Sequence, residues 1–412
     1  LRAFGICKIG YSLDENEEGI GMVILFAAND YFEYGKATEG FPIYLHRVTA
    51  ALAKFGHSPI IVACGRTDKH YVEDGVEVYI VHFTAKNMSM KCISMGCWAY
   101  NGSRAINKKI KEIIKVRKVE LIQFTSLQGL AACYYGNVPA VMRLSSYAKI
   151  YYASYRTLGK SEVMVLAFFE RLAAARCNAV FAPCKNTADD FGKDIGRQVS
   201  VIETPFVNDV AVYDKSIFEN RLQGKKYVLF FGTLIAEKGV LVIADILQRF
   251  LKGHPDYYVV CCGKDARIAG KNAVGILRNA VGQFGSQFIY LKQQPHEKLY
   301  PIIQKADFVI LPSLVENLSN ACIEAMYFER VVIGTDGVSY EQLIDDGISG
   351  LLCKPNDADS LLEKMNEAAS MSETQKKKIG EMAKKRIDRL APDVVVRKLL
   401  RFYQYVIDNV NK

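Results

Sequence analysis

The sequence predicts an α/β protein made of two doubly wound domains. Three observations carry that prediction. The chain has 412 residues, too many for one ordinary core and enough for two. Short, β-rich apolar runs alternate with helical patterns along most of its length, the pattern of parallel sheets covered by helices. The same strand–loop–helix opening recurs, at Met22–Ala27 before a helix from Phe41, and at Lys226–Phe231 before a helix to about Leu251. In such units the loop after the strand meets the ligand.

Composition narrows the class. Half of the residues are hydrophobic and 24% are charged, as in a globular enzyme. No run is long and apolar enough to cross a bilayer, and Asp14-Glu-Asn-Glu-Glu18 interrupts a start that would otherwise resemble a secretory signal. The eleven cysteines show no C-x-x-C spacing, and they read as reduced core residues of a cytosolic protein. A net charge of +9 favours acidic partners such as diphosphates or anionic lipid. No nucleic-acid motif accompanies the charge, so nucleic acid is not an expected partner.

Residues 1–21 form a leader with no assigned role. After the strand Met22–Ala27 comes a loop from Asn29 to Gly40, and Gly40 is a candidate for phosphate contact or a plain helix-entry glycine. Phe41–Phe55 has a helix pattern with Pro42 in its first turn, Gly56-His57 stops it, and Ser58–Ala63 is the next strand. Val76–Phe83 follows an Asp74-Gly75 turn and reads as a hairpin or edge strand. Residues 104–118 form a basic amphipathic helix, with Ile106, Ile110, Ile113 and Ile114 on one face. The reading is a domain helix with a solvated basic face, and contact with anionic lipid is the alternative.

Val119–Phe124 and Pro139–Leu144 are buried strands. Arg143, Ser145 and Ser146 stand at the end of the second, where they either face a crevice or serve as cap and core partners. A helix at Phe168–Arg176, a strand at Ala179–Pro183, a helix opened by Cys184-Lys185-Asn186 and a strand at Val199–Ile202 complete the first domain. The linker is expected near 205–224.

In the second domain, Lys226–Phe231 leads into Gly232-Thr233 and then Lys238-Gly239. A cation at a helix start opposes the macrodipole unless an anion lies nearby, so Lys238 points to a bound anion. Tyr257–Cys262 with Gly263, Gln287–Leu291, and a helix opened by Gln294-Pro-His follow. Beyond these, Val331–Gly337 is a strand and turn, and Asp346–Leu352 is a hairpin-like β element. Asp357-Ala-Asp359 reads as a helix cap rather than a metal ligand pair. Pro392–Asn411 is a terminal helix.

The most informative stretch lies between. Ala306–Leu311 is a buried strand, Pro312-Ser313 ends it, Glu316–Asn320 is a polar loop, and Ala321–Met326 begins a helix. Backbone N–H groups at that helix start suit an anion. Two carboxylates, Glu316 in the loop and Glu324 in the helix, are separated by seven residues. An acidic side chain inside an apolar helix needs partners, and sugar or ribose hydroxyls are good ones.

Pro-Ser, a first Glu, seven residues, a second Glu and Ala-Met resemble the signature of the retaining nucleotide-sugar glycosyltransferases of group 1, or family 4, with the GT-B fold. The resemblance covers nearly the whole chain from about residue 22. It implies two Rossmann-like domains facing across a cleft, an acceptor-side domain at 22–208 and a nucleotide-sugar-binding domain at 209–390, with a helix at 391–412 crossing back. It further implies that Glu316 and Lys238 are catalytic. Glu324, Gly232, Thr233, Asn317, Leu318, Ser319, Asn320, Gly40 and Gly263 would bind donor, with Arg143, Ser145 and Ser146 on the acceptor side. The chain departs from the family pattern at Glu39 in the first loop, at Pro42 in the first turn of the helix that follows, at Ser145-Ser146 where the family often carries His, and at Thr233 where the family has Arg.

The expected activity is retaining transfer of a hexosyl-type sugar to a glycan, lipid-linked or small-molecule acceptor. No metal or other cofactor is expected, the nucleotide-sugar being a co-substrate. The expected location is the cytoplasm, with peripheral contact at an anionic inner membrane face as the further option. A GT-B epimerase and a non-catalytic nucleotide-sugar-binding protein are the alternatives.

Overall fold

A computed structural model describes residues 21–31, 41–85, 89–145, 147–150 and 158–410. Gly40, Glu39, Ser146 and all but the last residue of the leader therefore lie outside the described residues. The first domain holds β1 (Val23–Ala28), β2 (Ser58–Gly65), β3 (Lys69–Glu73), β4 (Val76–His82), β5 (Leu121–Thr125), β6 (Ala140–Arg143), β7 (Ala179–Ala182) and β8 (Ser200–Val201). They form one sheet in the order β3-β4-β2-β1-β5-β6-β7-β8. The strands pair in parallel except β3, which runs antiparallel to β4 around the Asp74-Gly75 turn. Both turn residues have positive φ, the geometry that two-residue hairpins favour.

The second domain holds β9 (Lys226–Phe231), β10 (Tyr257–Cys262), a small β11–β12 ribbon (Arg267–Ile268 and Lys271–Asn272), β13 (Phe288–Leu291), β14 (Phe308–Leu311), β15 (Val332–Thr335) and β16 (Leu351–Cys353). Its main sheet is all parallel, in the order β13-β10-β9-β14-β15-β16. In each sheet the chain steps outward from the first strand, then returns to build the other side. The reversals fall between β1 and β5 and between β9 and β14, and a crevice opens at such a switch point beyond the strand C-termini. The inner strands are apolar on both faces because helices cover both: all four residues of β14 are buried, as are Leu229 and Phe230 of β9.

The helices among the described residues include α1 (Phe41–Lys54), α2 (Lys91–Ile114), α3 (Lys160–Arg176), α4 (Lys185–Ile195), α5 (Ser216–Arg221), α6 (Val240–Gly253), α7 (Ala273–Val281), α8 (His296–Lys305), α9 (Asn320–Tyr327), α10 (Ala358–Ser370), α11 (Glu373–Asp388) and α12 (Pro392–Val410). α12 returns to the first domain. Its Val395, Val396, Leu399, Tyr403 and Val406 are buried in one cluster with Tyr44, Leu45, Val48 and Leu52 of α1. The two connections between domains meet where Phe206 N donates to Leu390 O at 2.8 Å.

Three sequence expectations change. The helix expected at 104–118 begins at Lys91, and the one expected at Phe168 begins at Lys160. In both, the early turns keep apolar side chains on the outside, which hides the helical period. Ile106, Ile110 and Ile113 of α2 are buried in the core, as a domain helix requires. The third change is at Asp346–Leu352, where a turn closed by Gly347 N and Gly350 O leads into β16, a parallel edge strand beside β15, rather than a hairpin. Asp357 caps α10, its Oδ1 accepting from Ser360 N at 2.9 Å.

Candidate active site

The cleft lies at the switch point of the second sheet. β9 delivers the loop Gly232–Lys238, and β14 delivers the loop Pro312–Ser319 beside it. The two loops are tied together. Leu314 N donates to Glu237 O at 2.7 Å, and Gly239 holds φ +76° directly under Pro312. A Cβ at Gly239 would stand 1.9 Å from Pro312 O, so only glycine lets the loops touch. On the other side Leu234 N donates to Lys264 O at 2.9 Å, which binds the loop after β10 to the same assembly.

The approach brings Lys238 and Glu316 into an ion pair between Lys238 Nζ and Glu316 Oε1. Glu316 is 10% exposed and Lys238 26%, so the pair is largely withdrawn from water and each ion neutralises the other. Lys238 occupies a short 3₁₀ turn, Ala236–Lys238, just before Gly239, rather than the first turn of α6. Ser313 Oγ lies 3.4 Å from the same carboxylate oxygen. Tyr340, fully buried, touches both Ser313 Oγ (3.2 Å) and Ser319 Oγ (3.4 Å), pinning the two ends of the loop that carries Glu316. Burial and the nearby Glu316 charge push its phenol well above the ordinary range, so it remains neutral.

Ser319 caps α9, its Oγ accepting from Cys322 N at 3.3 Å. Glu324, one turn further, is nearly buried and faces His296 of α8, with Nε2 3.5 Å from Oε1. His296 stacks on Tyr300 with ring centroids 5.0 Å apart. The cavity encloses about 300 Å³. Of the predicted residues, Glu316, Lys238, Glu324, Gly232, Thr233, Leu318, Ser319, Asn320 and Gly263 line it.

Asn317 does not line it. Its side chain reaches the first domain, where Nδ2 donates to Ser145 O at 2.7 Å and Oδ1 accepts from Thr187 Oγ1 at 3.0 Å. Nearby, Lys185 N donates to Gln342 Oε1 at 2.9 Å, and Asn186 Nδ2 donates to Glu341 at the same distance. Arg386 pairs with Glu203 across the same seam. Arg143, expected on the acceptor side, is 4% exposed. Its guanidinium lies 3.7 Å from the Tyr44 ring centroid and donates to Thr204 Oγ1 at 2.9 Å. Burial lowers its pKa from the ordinary value. Ser145 Oγ is 3.0 Å from Thr125 Oγ1. These two side chains thus bond within their own domain, because the residues at the end of β6 fold back onto β5 and α1.

Sequence reasoning missed Lys264, Gln293, Gln294, His296 and Tyr340, and also Ile43, which α1 contributes from the first domain. Lys264 was the most accessible of them: it follows Gly263 at the end of β10 and brings a second cation to the wall that holds Thr233.

Residues 212–386 match the family of glycosyl transferases group 1. The chain is a GT-B-fold glycosyltransferase related to that group. Its general activity is transfer of a sugar from a nucleotide-sugar donor. An uncharacterized glycosyltransferase of Methanocaldococcus jannaschii is 21% identical over 258 residues, spanning 61% of this glycosyltransferase and 68% of its own length. A glycosyltransferase structure from Rickettsia africae shares the fold with a TM-score of 0.66 at 20% identity, covering 94% of this chain and 99% of that one. The Anabaena protein HepE, solved in complex with UDP, gives 0.67 at 16% identity, covering 93% and 100%. Among the described residues of this glycosyltransferase, no helix is long and apolar enough to cross a membrane.

Proposed function

We propose that this glycosyltransferase transfers a hexosyl-type sugar with retention of anomeric configuration, to a glycan, lipid-linked or small-molecule acceptor. The observation that carries the reading is the meeting of Lys238 and Glu316 at the switch point, with Glu324 one helical turn beyond the capped start of α9. Three tasks follow from the chemistry. The leaving nucleoside diphosphate gathers negative charge as the glycosidic bond breaks, and Lys238, with Lys264 lining the same cavity, supplies fixed positive charge in a partly dry cleft. The first backbone N–H groups of α9, at Asn320 and Ala321, add their dipoles. Glu324 accepts from ribose hydroxyls and Glu316 from sugar hydroxyls near the reacting carbon.

The ion pair has a role in this scheme. Without donor, Lys238 keeps the buried Glu316 carboxylate compensated. With donor, the ammonium is shared with the diphosphate while Glu316 gains hydroxyl donors. Retention is read as attack by the acceptor on the face the diphosphate leaves, with no protein nucleophile. The scheme assigns the leaving-group charge to these cations and N–H groups, and so needs no metal.

The test is a thermal-shift screen against nucleotide-sugars, beginning with uridine donors because HepE was solved with UDP, followed by turnover in buffer containing EDTA. The expected results are donor-dependent stabilisation by mass action, nucleoside diphosphate release, and a product whose anomeric proton keeps the donor's configuration. Binding without turnover, an epimerised donor, or turnover that returns only when Mg²⁺ or Mn²⁺ is restored would each overturn the corresponding part.

A further inference from the structure

The first domain carries an apolar groove that the donor cleft does not use. It lies between the early turns of α2 and α3, encloses about 470 Å³, and is lined by Ile93, Cys97, Met164, Val165, Phe168 and Phe169. Met164 is 71% exposed and Phe168 55%. Met90, Ile93 and Tyr100 on the rim are exposed as well. Large apolar side chains gathered in this way on a water-facing surface mark a place of interaction.

Helical spacing identifies the kind of partner. On α2 the positions 93, 97, 100, 104, 108 and 111 follow at steps of three or four, and position 115 at its end continues them, so they form one stripe. Its first half is Ile93, Cys97 and Tyr100. Its second half is Arg104, Lys108, Lys111 and Lys115, all exposed. α3 repeats the order, with Met164 and Phe168 followed by exposed Arg171. Lys91 and Lys160 stand exposed at the starts of the two helices. The one carboxylate on α2, Glu112, is paired with Lys109 at 2.6 Å. Asp194, beside Arg171, is shared with Lys149.

An apolar wedge thus continues directly into a run of positive charge. A second copy docked through this face would set basic surface against basic surface. A bilayer that presents anionic headgroups over an apolar interior complements both halves at once. We propose that this face docks the first domain onto an anionic lipid surface. Ile93, Met164 and Phe168 enter the headgroup–acyl boundary, and Arg104, Lys108, Lys111 and Lys115 lie over the lipid charges. The proposal is independent of the donor chemistry, and its test needs no nucleotide-sugar.

The test is cosedimentation of the full chain with vesicles of phosphatidylcholine alone and of phosphatidylcholine mixed with phosphatidylglycerol. Binding is expected to the mixed vesicles and to fall with added salt. Lys108→Gln and Lys111→Gln should each weaken it roughly fivefold, the effect of one surface charge at an anionic leaflet. Phe168→Ser with Met164→Ser should abolish it while leaving the melting temperature close to wild type, since both side chains already face water. A circular dichroism melt of each variant separates loss of docking from loss of fold. Equal binding to both vesicle types, no binding to either, or indifference to these substitutions would overturn the proposal. So would a concentration-dependent dimer that the Phe168→Ser and Met164→Ser pair dissolves.

Discussion

Gly239→Ala is expected to part the two loops that make the site. The obstacle is backbone: a Cβ there would meet Pro312 O at 1.9 Å and Pro312 C at 2.7 Å. Gly239 also holds φ +76°, which costs a non-glycine residue about 1–2 kcal/mol. Relieving the overlap adds roughly 1–3 kcal/mol, so the loss of stability is roughly 2–5 kcal/mol. For a domain of about 150–250 residues, each kcal/mol lowers melting by roughly 2–4 °C, giving a fall of roughly 4–20 °C. Activity should suffer more than stability. Lys238 directly precedes Gly239 and Glu316 follows Pro312, so relaxation moves the cation away from the carboxylate. A displacement of about 1 Å can cost about a hundredfold in rate. Calorimetry and nucleoside diphosphate release, measured well below the variant's melting temperature, separate the two effects. Gly253→Ala is the control, because nothing lies within 4 Å of a Cβ there. A Gly239→Ala protein with wild-type melting and wild-type turnover would refute the claim that this contact builds the site.

Further expectations follow from the same geometry. Lys238→Ala should remove most transfer and Lys264→Ala less, because Lys264 lies more exposed to water; near wild-type turnover in Lys238→Ala would refute its role. Glu324→Ala should mainly raise donor KM, since a ribose contact serves ground and transition states alike. A lower melting temperature with unchanged donor affinity would instead make Glu324 structural. Burial raises the Glu170 carboxyl from 4.5 to about 8, so the folded chain keeps a proton that the unfolded chain releases. Folding stability contributed by this group therefore falls as pH rises from 4.5 to about 8. Glu170→Gln keeps an acceptor for Ala148 N–H and should flatten that slope in melts taken across the range; an unchanged slope would contradict it.

The parts of the fold legible in the sequence were those whose burial is two-sided. β1, β9 and β14 are continuous apolar runs because helices cover both faces, and such runs stand out against the polar loops that follow. The first turns of α2 and α3 were not legible. Cys92, Ile93, Cys97, Met164 and Phe168 put apolar residues on outer faces, so no polar side marks the period. β3 is an edge strand of mixed polarity, with nothing but the Asp74-Gly75 turn to announce it.

At the site, Glu316, Glu324 and Lys238 were legible because each sits at a fixed offset from a strand in its own segment. The wall made by Lys264, Gln293, Gln294 and His296 was not. Those residues come from the segments after β10 and β13 and from the start of α8, and only the strand order β13-β10-β9-β14 brings them together. Asn317 shows the opposite limit. Its place in the loop next to Glu316 suggested donor contact, yet its side chain turns to Ser145 and Thr187, because the seam between domains passes on that side of the loop.

The central claim is that Glu316 acts at the reacting carbon. Steady-state kinetics of Glu316→Ala, with any nucleotide-sugar that the wild-type protein turns over, tests it most directly. The expected result is a kcat lower by roughly a hundredfold or more with donor KM changed little, because the contact strengthens as charge develops, and a lowered melting temperature, because Lys238 loses its partner in a cleft largely withdrawn from water. Full kcat in Glu316→Ala would contradict the account and make the loop between β14 and α9 an element of the fold alone.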